Sequence, residues 1–187
     1  MPKKGSDLAH STEAPAPLSR RHAIAAMAAI PLLAQPAAAD DVVAKLIQLS
    51  NDSNAALMRG DMDKYRVLLT ITNDFTLMSP FGGTPSRGSD YTSETWEKMG
   101  RFFKNGTFRQ EVVQSYASAD MVVLALIERT NVEVGGLPAQ DWALRVTLVY
   151  RRNGAEWHLV HRHADPLANG ISLQQAAALG RGLAAGN

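Results

Sequence analysis

The chain has 187 residues, 45% of them apolar and 20% charged, with a formal net charge of +1 and no cysteine. That is enough for one domain with a core of its own. It excludes disulfides, thiolate metal sites and a cysteine nucleophile, and the near-neutral charge gives no basis for nucleic-acid binding.

Residues 1–18 are polar, with three prolines and no periodicity. Ser19-Arg20-Arg21-His22 then leads into an apolar run from Ala23 to Leu33, and Ala37-Ala38-Ala39 offers a small-residue cleavage site. A charged region, a short apolar region and small residues, in that order, predict a secretory signal over 1–39 and a mature chain from Asp40. The run falls short of the about 20 apolar residues that span a bilayer, so no membrane contact is expected after cleavage. The arginine pair resembles the bacterial twin-arginine export signal, with Ala23 where phenylalanine is usual; general secretion is the other route. Either route predicts a periplasmic or secreted bacterial protein.

Asp40 and Asp41 suit the start of a first helix, where acidic side chains complement the helix dipole. Val43, Ile47, Asn54 and Leu57 recur at helical spacing until Gly60. Asp61 can cap a second, short helix through Leu69, with Tyr65, Leu68 and Leu69 facing inward. Phe75–Met78 reads as a first strand, and Ser79–Gly88 as a turn-rich loop. Ser89 or Asp90 caps a third helix carrying Trp96, Met99 and Phe103 on one face, ended by Asn105-Gly106. From Thr107 the apolar period changes to two. Thr107–Ala117, Met121–Val134 and Gln140–Arg152 are expected strands, the second and third joined by a turn at Gly135-Gly136. A tight Asn153-Gly154 hairpin leads into a fourth, Trp157–Pro166. Residues 170–187 form a C-terminal tail or a short helix capped by Ser172.

Three helices, with one strand slipped in before the third, followed by an antiparallel meander, predict an α+β domain over 40–169. Its helices would pack on one face of a curved sheet and enclose a pocket, the default ligand site. Met121–Val134 is apolar on both faces, so the far side of the sheet is expected to pack on a second copy, as a homodimer.

These elements resemble the nuclear-transport-factor-2-like superfamily, in particular its SnoaL-like, ketosteroid-isomerase-like branch, over about residues 41–166. The resemblance rests on Leu57-Met58-Arg59-Gly60-Asp61-Met62-Asp63, on Ser79-Pro80-Phe81-Gly82 and on Arg145-Val146-Thr147. It rests further on Tyr150-Arg151-Arg152-Asn153-Gly154 and Trp157-His158-Leu159-Val160-His161-Arg162-His163. The last strand also looks like the end of the association domain of calcium/calmodulin-dependent kinases. The superfamily implies a cone-shaped, cystatin-like α+β barrel, commonly dimeric, and hosts isomerases, cyclases, dehydratases and members without catalysis. Steroid isomerases of this branch carry an aspartate base just before the proline of the Pro-x-Gly turn, and a tyrosine seven residues before the glycine of the Gly-Asp pair. Here Ser79 and Ser53 stand at those places, and Leu148 or a neighbour where a third acid is usual. Steroid-isomerase chemistry is therefore not expected, since serine alone does not replace a carboxylate base at pH 7.

Strict alternation along Trp157–Pro166 puts Trp157, Leu159, His161 and His163 on one face, leading from the core into the pocket, with Val160 and Arg162 on the other. His161 and His163 are the expected proton-transfer or anion-binding pair, or else two hydrogen-bonded core histidines. His-x-His with Asp165 could hold a metal, but the mature chain has only three histidines and His158 points away, so neither metal nor cofactor is expected. Arg145 shares a face with Thr147 and would steady a carboxylate or a developing oxyanion. Its alternative is a rim arginine paired with Asp141 or Glu128. Tyr65, Leu77, Trp96, Phe103, Thr147 and Asp165 complete the expected ligand-binding set. The function these residues predict is an exported protein that binds an apolar carbonyl or carboxylate compound, as a binder or as an isomerase, cyclase or lyase. The alternative is a non-catalytic dimerisation or accessory module.

Overall fold

The computed structural model describes residues 36–181. The expected export signal up to residue 35 lies outside them. Helix α1, Pro36–Arg59, starts four residues before Asp40, with proline in its first turn, where a missing N–H costs nothing. It therefore runs through the expected cleavage site. Helix α2, Met62–Leu68, is capped as expected, the Asp61 carboxylate accepting from the Lys64 N–H. Strand β1, Ile71–Met78, and a two-residue β2, Ser86–Arg87, precede a 3-10 turn at Gly88–Asp90. Helix α3, Ser93–Phe102, is capped by Thr92. Ser89 and Asp90 lie in the 3-10 turn instead, where Asp90 accepts from the Arg87 N–H.

Four long strands follow: β3, Phe103–Ala117; β4, Met121–Val134; β5, Leu137–Asn153; and β6, Glu156–Pro166. Asn105-Gly106 does not end α3. The strand has already begun, and Asn105, at φ 55°, bends it where the pairing with β4 shifts register. Gly106 is required there, because a Cβ on it would stand 2.6 Å from the Met58 carbonyl oxygen of α1. A short helix α4, Leu173–Gly180, carries a Ser172–Gln175 capping box.

The sheet order is β2-β1-β6-β5-β4-β3. The meander β3–β6 is antiparallel as expected, while β1 joins β6 in parallel. The fold is the expected α+β, cystatin-like arrangement of helices on a curved sheet, which is unclosed, with β2 and β3 at its edges.

The core lies between α1 and one face of the sheet. Leu46 and Phe75 pack against Val122, Leu124, Leu126, Val146, Leu148, Tyr150, Leu159 and Ala164. A second cluster, Ala56, Leu57, Met58, Tyr65, Val132 and Val134, joins α1 and α2 to the other end of β4. On β4 every second residue from Val122 to Val134 takes this helix-side face. No helix among the described residues is long and apolar enough to cross a membrane.

Candidate functional site

A cavity of about 310 Å³ opens between the helices and the helix-side face of the sheet. This is at the low end of the roughly 300–1,000 Å³ typical of small-molecule sites, so it suits a compact ligand. Aromatic rings dominate its wall: Tyr65, Phe75, Phe81, Tyr91, Phe102, Phe103, Phe108 and Trp142. Leu77, Leu144 and Leu159 fill between them. The Phe81 ring, on the loop after β1, stands edge-on to Phe102 and Trp142, with centroids 5.6 and 5.9 Å apart.

Two charges face one another in this apolar wall. Glu128 on β4 and Arg162 on β6 form a bidentate pair, with Nη1–Oε1 2.8 Å and Nη2–Oε2 2.6 Å. Their side chains are only 4% and 16% exposed. The Asn54 amide of α1 donates to Glu128 Oε1 at 3.4 Å and to the Ser50 carbonyl at 3.0 Å. Ser50 Oγ in turn donates to Gln110 on β3. Burial works against the charge on Arg162, but the adjacent carboxylate outweighs it, and the guanidinium pKa is raised above its ordinary value. Burial also raises the Tyr65 and Tyr91 hydroxyls, against the lowering effect of Arg162. The cavity thus presents a cation, the Glu128 side chain bound to it, and two phenols whose protonated form burial favours. The bidentate pair occupies two of the five N–H donors of Arg162.

The structure corrects the facing of the expected catalytic residues. Trp157 and Leu159 do point to the helix side. The β5–β6 register then shifts: Tyr150 pairs with Leu159, but Val149 pairs with His161, leaving Val160 as an extra residue. A bulge of this kind reverses the alternation beyond it. Arg162 and Ala164 therefore turn inward, and His161 and His163 turn to the far face. There His161 Nδ1 lies 2.7 Å from Thr76 Oγ1, and His163 Nε2 lies 3.3 Å from Asp165 Oδ2. The two rings are 6.4 Å apart. Burial, then the neighbouring His163 charge, lower the His161 pKa, against a hydrogen bond to Thr76 that raises it.

Arg145 and Thr147 pair with Asp165 and His163 on the same far face, so neither reaches the cavity. On β5 it is the apolar set, Trp142, Leu144, Val146, Leu148 and Tyr150, that turns inward. Arg145 forms no ion pair with Asp141 or Glu128 either, since Glu128 holds Arg162 and Asp141 accepts from Asn131. Of the expected ligand-binding set, Tyr65, Leu77 and Phe103 line the cavity, and Thr147 and Asp165 do not. Trp96 stands behind the wall, its ring 6.1 Å from Tyr65 and 4.9 Å from Tyr91. Ser79 lines the cavity, whereas the buried Ser53 hydroxyl donates to the Ser50 carbonyl.

The Glu128–Arg162 pair was not anticipated. Glu128 was detectable, because it interrupts the inward series Val122, Leu124, Leu126 at an inward position, and a buried carboxylate needs a cation. Arg162 was not, because the bulge that turns it inward leaves no mark in a strand of ordinary composition.

Solved structures share this fold. A nuclear transport factor 2-like superfamily protein from Salmonella enterica is 17% identical, with a TM-score of 0.59 over 72% of this chain and 97% of its own. A protein of the same fold from Pseudomonas putida, of unknown function, is 18% identical, with a TM-score of 0.53 over 73% of this chain and 92% of its own. A calcium/calmodulin-dependent kinase II hub homology domain from Chlamydamonas reinhardtii is 16% identical, with a TM-score of 0.51 over 68% of this chain and 99% of its own. No curated protein matches the sequence. The family model of the SnoaL-like domain matches residues 47–168, which include α2, α3, the whole sheet and all of the cavity wall, and the chain belongs to the SnoaL-like domain family.

Proposed function

We propose that this chain binds a compact small molecule with an apolar, ring-bearing body and one carbonyl or carboxylate end. The observation that carries the reading is the aromatic cavity of about 310 Å³ interrupted by the Arg162–Glu128 pair. The rings accept a planar body, and the remaining guanidinium N–H donors offer charge-assisted hydrogen bonds to an oxygen. The family includes isomerases and dehydratases. In an enzymatic form, as isomerase, cyclase or lyase, Arg162 and the protonated Tyr65 and Tyr91 would stabilise an oxyanion, and Glu128 would be the proton acceptor. His161, His163 and Arg145 have no part in that chemistry. Export to the periplasm rests on the charged, apolar and small-residue order of residues 19–39.

Titration with 1-naphthoate, followed by tryptophan fluorescence, tests the reading. Saturable binding is expected. It should weaken at least tenfold in the double variant Glu128→Leu/Arg162→Met and disappear in Leu144→Trp, whose indole fills the cavity. Equal affinity in all three proteins would overturn it.

A second reading, a non-catalytic homodimerisation module, draws on the far face of the sheet. Tyr116 is 61% exposed there, in line with Val123 of β4, which in turn pairs with Val149. Sedimentation equilibrium of wild type and Tyr116→Lys checks it; a dimer that persists unweakened in the variant would place the interface elsewhere.

A further inference from the structure

The far face of the sheet carries a second concavity, about 370 Å³, at the end of the meander away from the His161–His163 pair. Two cross-strand rows frame it. Thr107, Asn131 and Asp141 form one, and Arg109, Arg129 and Ala143 the other. Arg109 and Arg129 are direct partners across β3 and β4, so their side chains leave the sheet on the same side. Like charges directly opposite each other destabilise a sheet. Neither arginine forms an ion pair or a side-chain hydrogen bond among the described residues. Asp141, the acid within the groove, accepts from the Asn131 amide at 2.8 Å. Ala143 ends the arginine row with a single methyl group, which leaves space beside Arg129.

We propose that this groove is a binding site for a compact oxyanion, a phosphoryl or carboxylate group, held between Arg109 and Arg129. Two guanidinium forks that leave the sheet side by side into one groove offer the planar, multidentate donors such a group takes. An anion there turns the like-charge repulsion into attraction for both arginines. The site lies on the opposite side of the sheet from the aromatic cavity and is independent of it.

Thermal melting of the full chain at pH 7 tests the proposal, in 20 mM sodium phosphate, in sodium acetate and in sodium chloride at matched ionic strength. Phosphate or acetate should raise the midpoint of the wild type, and of a Lys45→Gln control on α1, by about 2–4 °C over chloride. Arg129→Gln and Arg109→Gln should each abolish that gain. Each should also melt slightly above the wild type in chloride, because the repulsion has gone. A gain with phosphate alone assigns the site to phosphoryl groups; a gain with both admits carboxylates. Equal midpoints in all three salts, or the same gain in the arginine variants, would overturn the proposal. So would an Arg129→Gln variant that changes the sedimenting mass while the anions leave the wild type unmoved. The counter-charge would then be a carboxylate of a second copy.

Discussion

Strands β4 and β6 lie in one sheet, separated only by β5, yet they treat their charged residues in opposite ways. On β4 the alternation runs unbroken, and Glu128 is inward because its position in the series says so. On β6 one extra residue, Val160, divides the strand into two halves of opposite phase. Before it, parity read from the sequence is right; after it, every side chain is on the other face. The two strands meet through the consequence: Glu128, placed by alternation, binds Arg162, placed by the bulge. The bulge is thus a structural device here, bringing a cation to a carboxylate that would otherwise be buried alone.

The strongest way to break the comparison is to remove one side of the pair. Glu128→Leu leaves a guanidinium unpaired in an apolar wall and should cost about 3–5 kcal/mol, read by urea denaturation. The double variant Glu128→Leu/Arg162→Met should recover most of that loss, since well-packed apolar replacements of buried pairs are commonly neutral. Deleting Val160 attacks the bulge itself. Without it His161 follows Leu159 directly, so simple alternation keeps His161 outward, Arg162 inward and the register with β5 unchanged, and the deletion should destabilise less than Glu128→Leu. A deletion variant as unstable as Glu128→Leu would show that the bulge does more than set the facing.

A smaller loss is expected where the chain depends on close approach instead of phase. Gly106→Ala pushes a methyl group against the Met58 carbonyl and should cost about 1–3 kcal/mol, through overpacking. The smallest effect belongs to the far face. The folded state holds the His161 proton less tightly than the unfolded chain, whose imidazole titrates near 6.5. The folded protein therefore binds fewer protons in that range, and this contribution to stability is present above pH 6.5 and lost as pH falls below it. His161→Gln should flatten the slope of stability between pH 5 and 7, and His163→Gln should reduce it, because part of the shift comes from the His163 charge. An unchanged slope in His161→Gln would assign the acid sensitivity to another group.

The local elements were legible in the sequence because they follow from local rules. The change of period at Thr107 separates helices from strands, Met121–Val134 has the expected bounds, and Asp61 and Ser172 cap their helices as side chains of their type do. The α+β class follows from that order, and the aromatic lining from the apolar face it creates: Tyr65, Leu77 and Phe103 were expected in the cavity and are there. What the tertiary structure alone decided are matters of pairing. The parallel contact of β1 with β6, the open edges of the sheet, the inward turn of the apolar face of β5 and the Val160 bulge depend on which strands meet and in what register. A single extra residue in one strand changes no composition and no periodicity, yet it exchanges the two faces beyond it. For that reason the histidines that looked catalytic lie outside the cavity, and an arginine that looked solvent-facing lies within it.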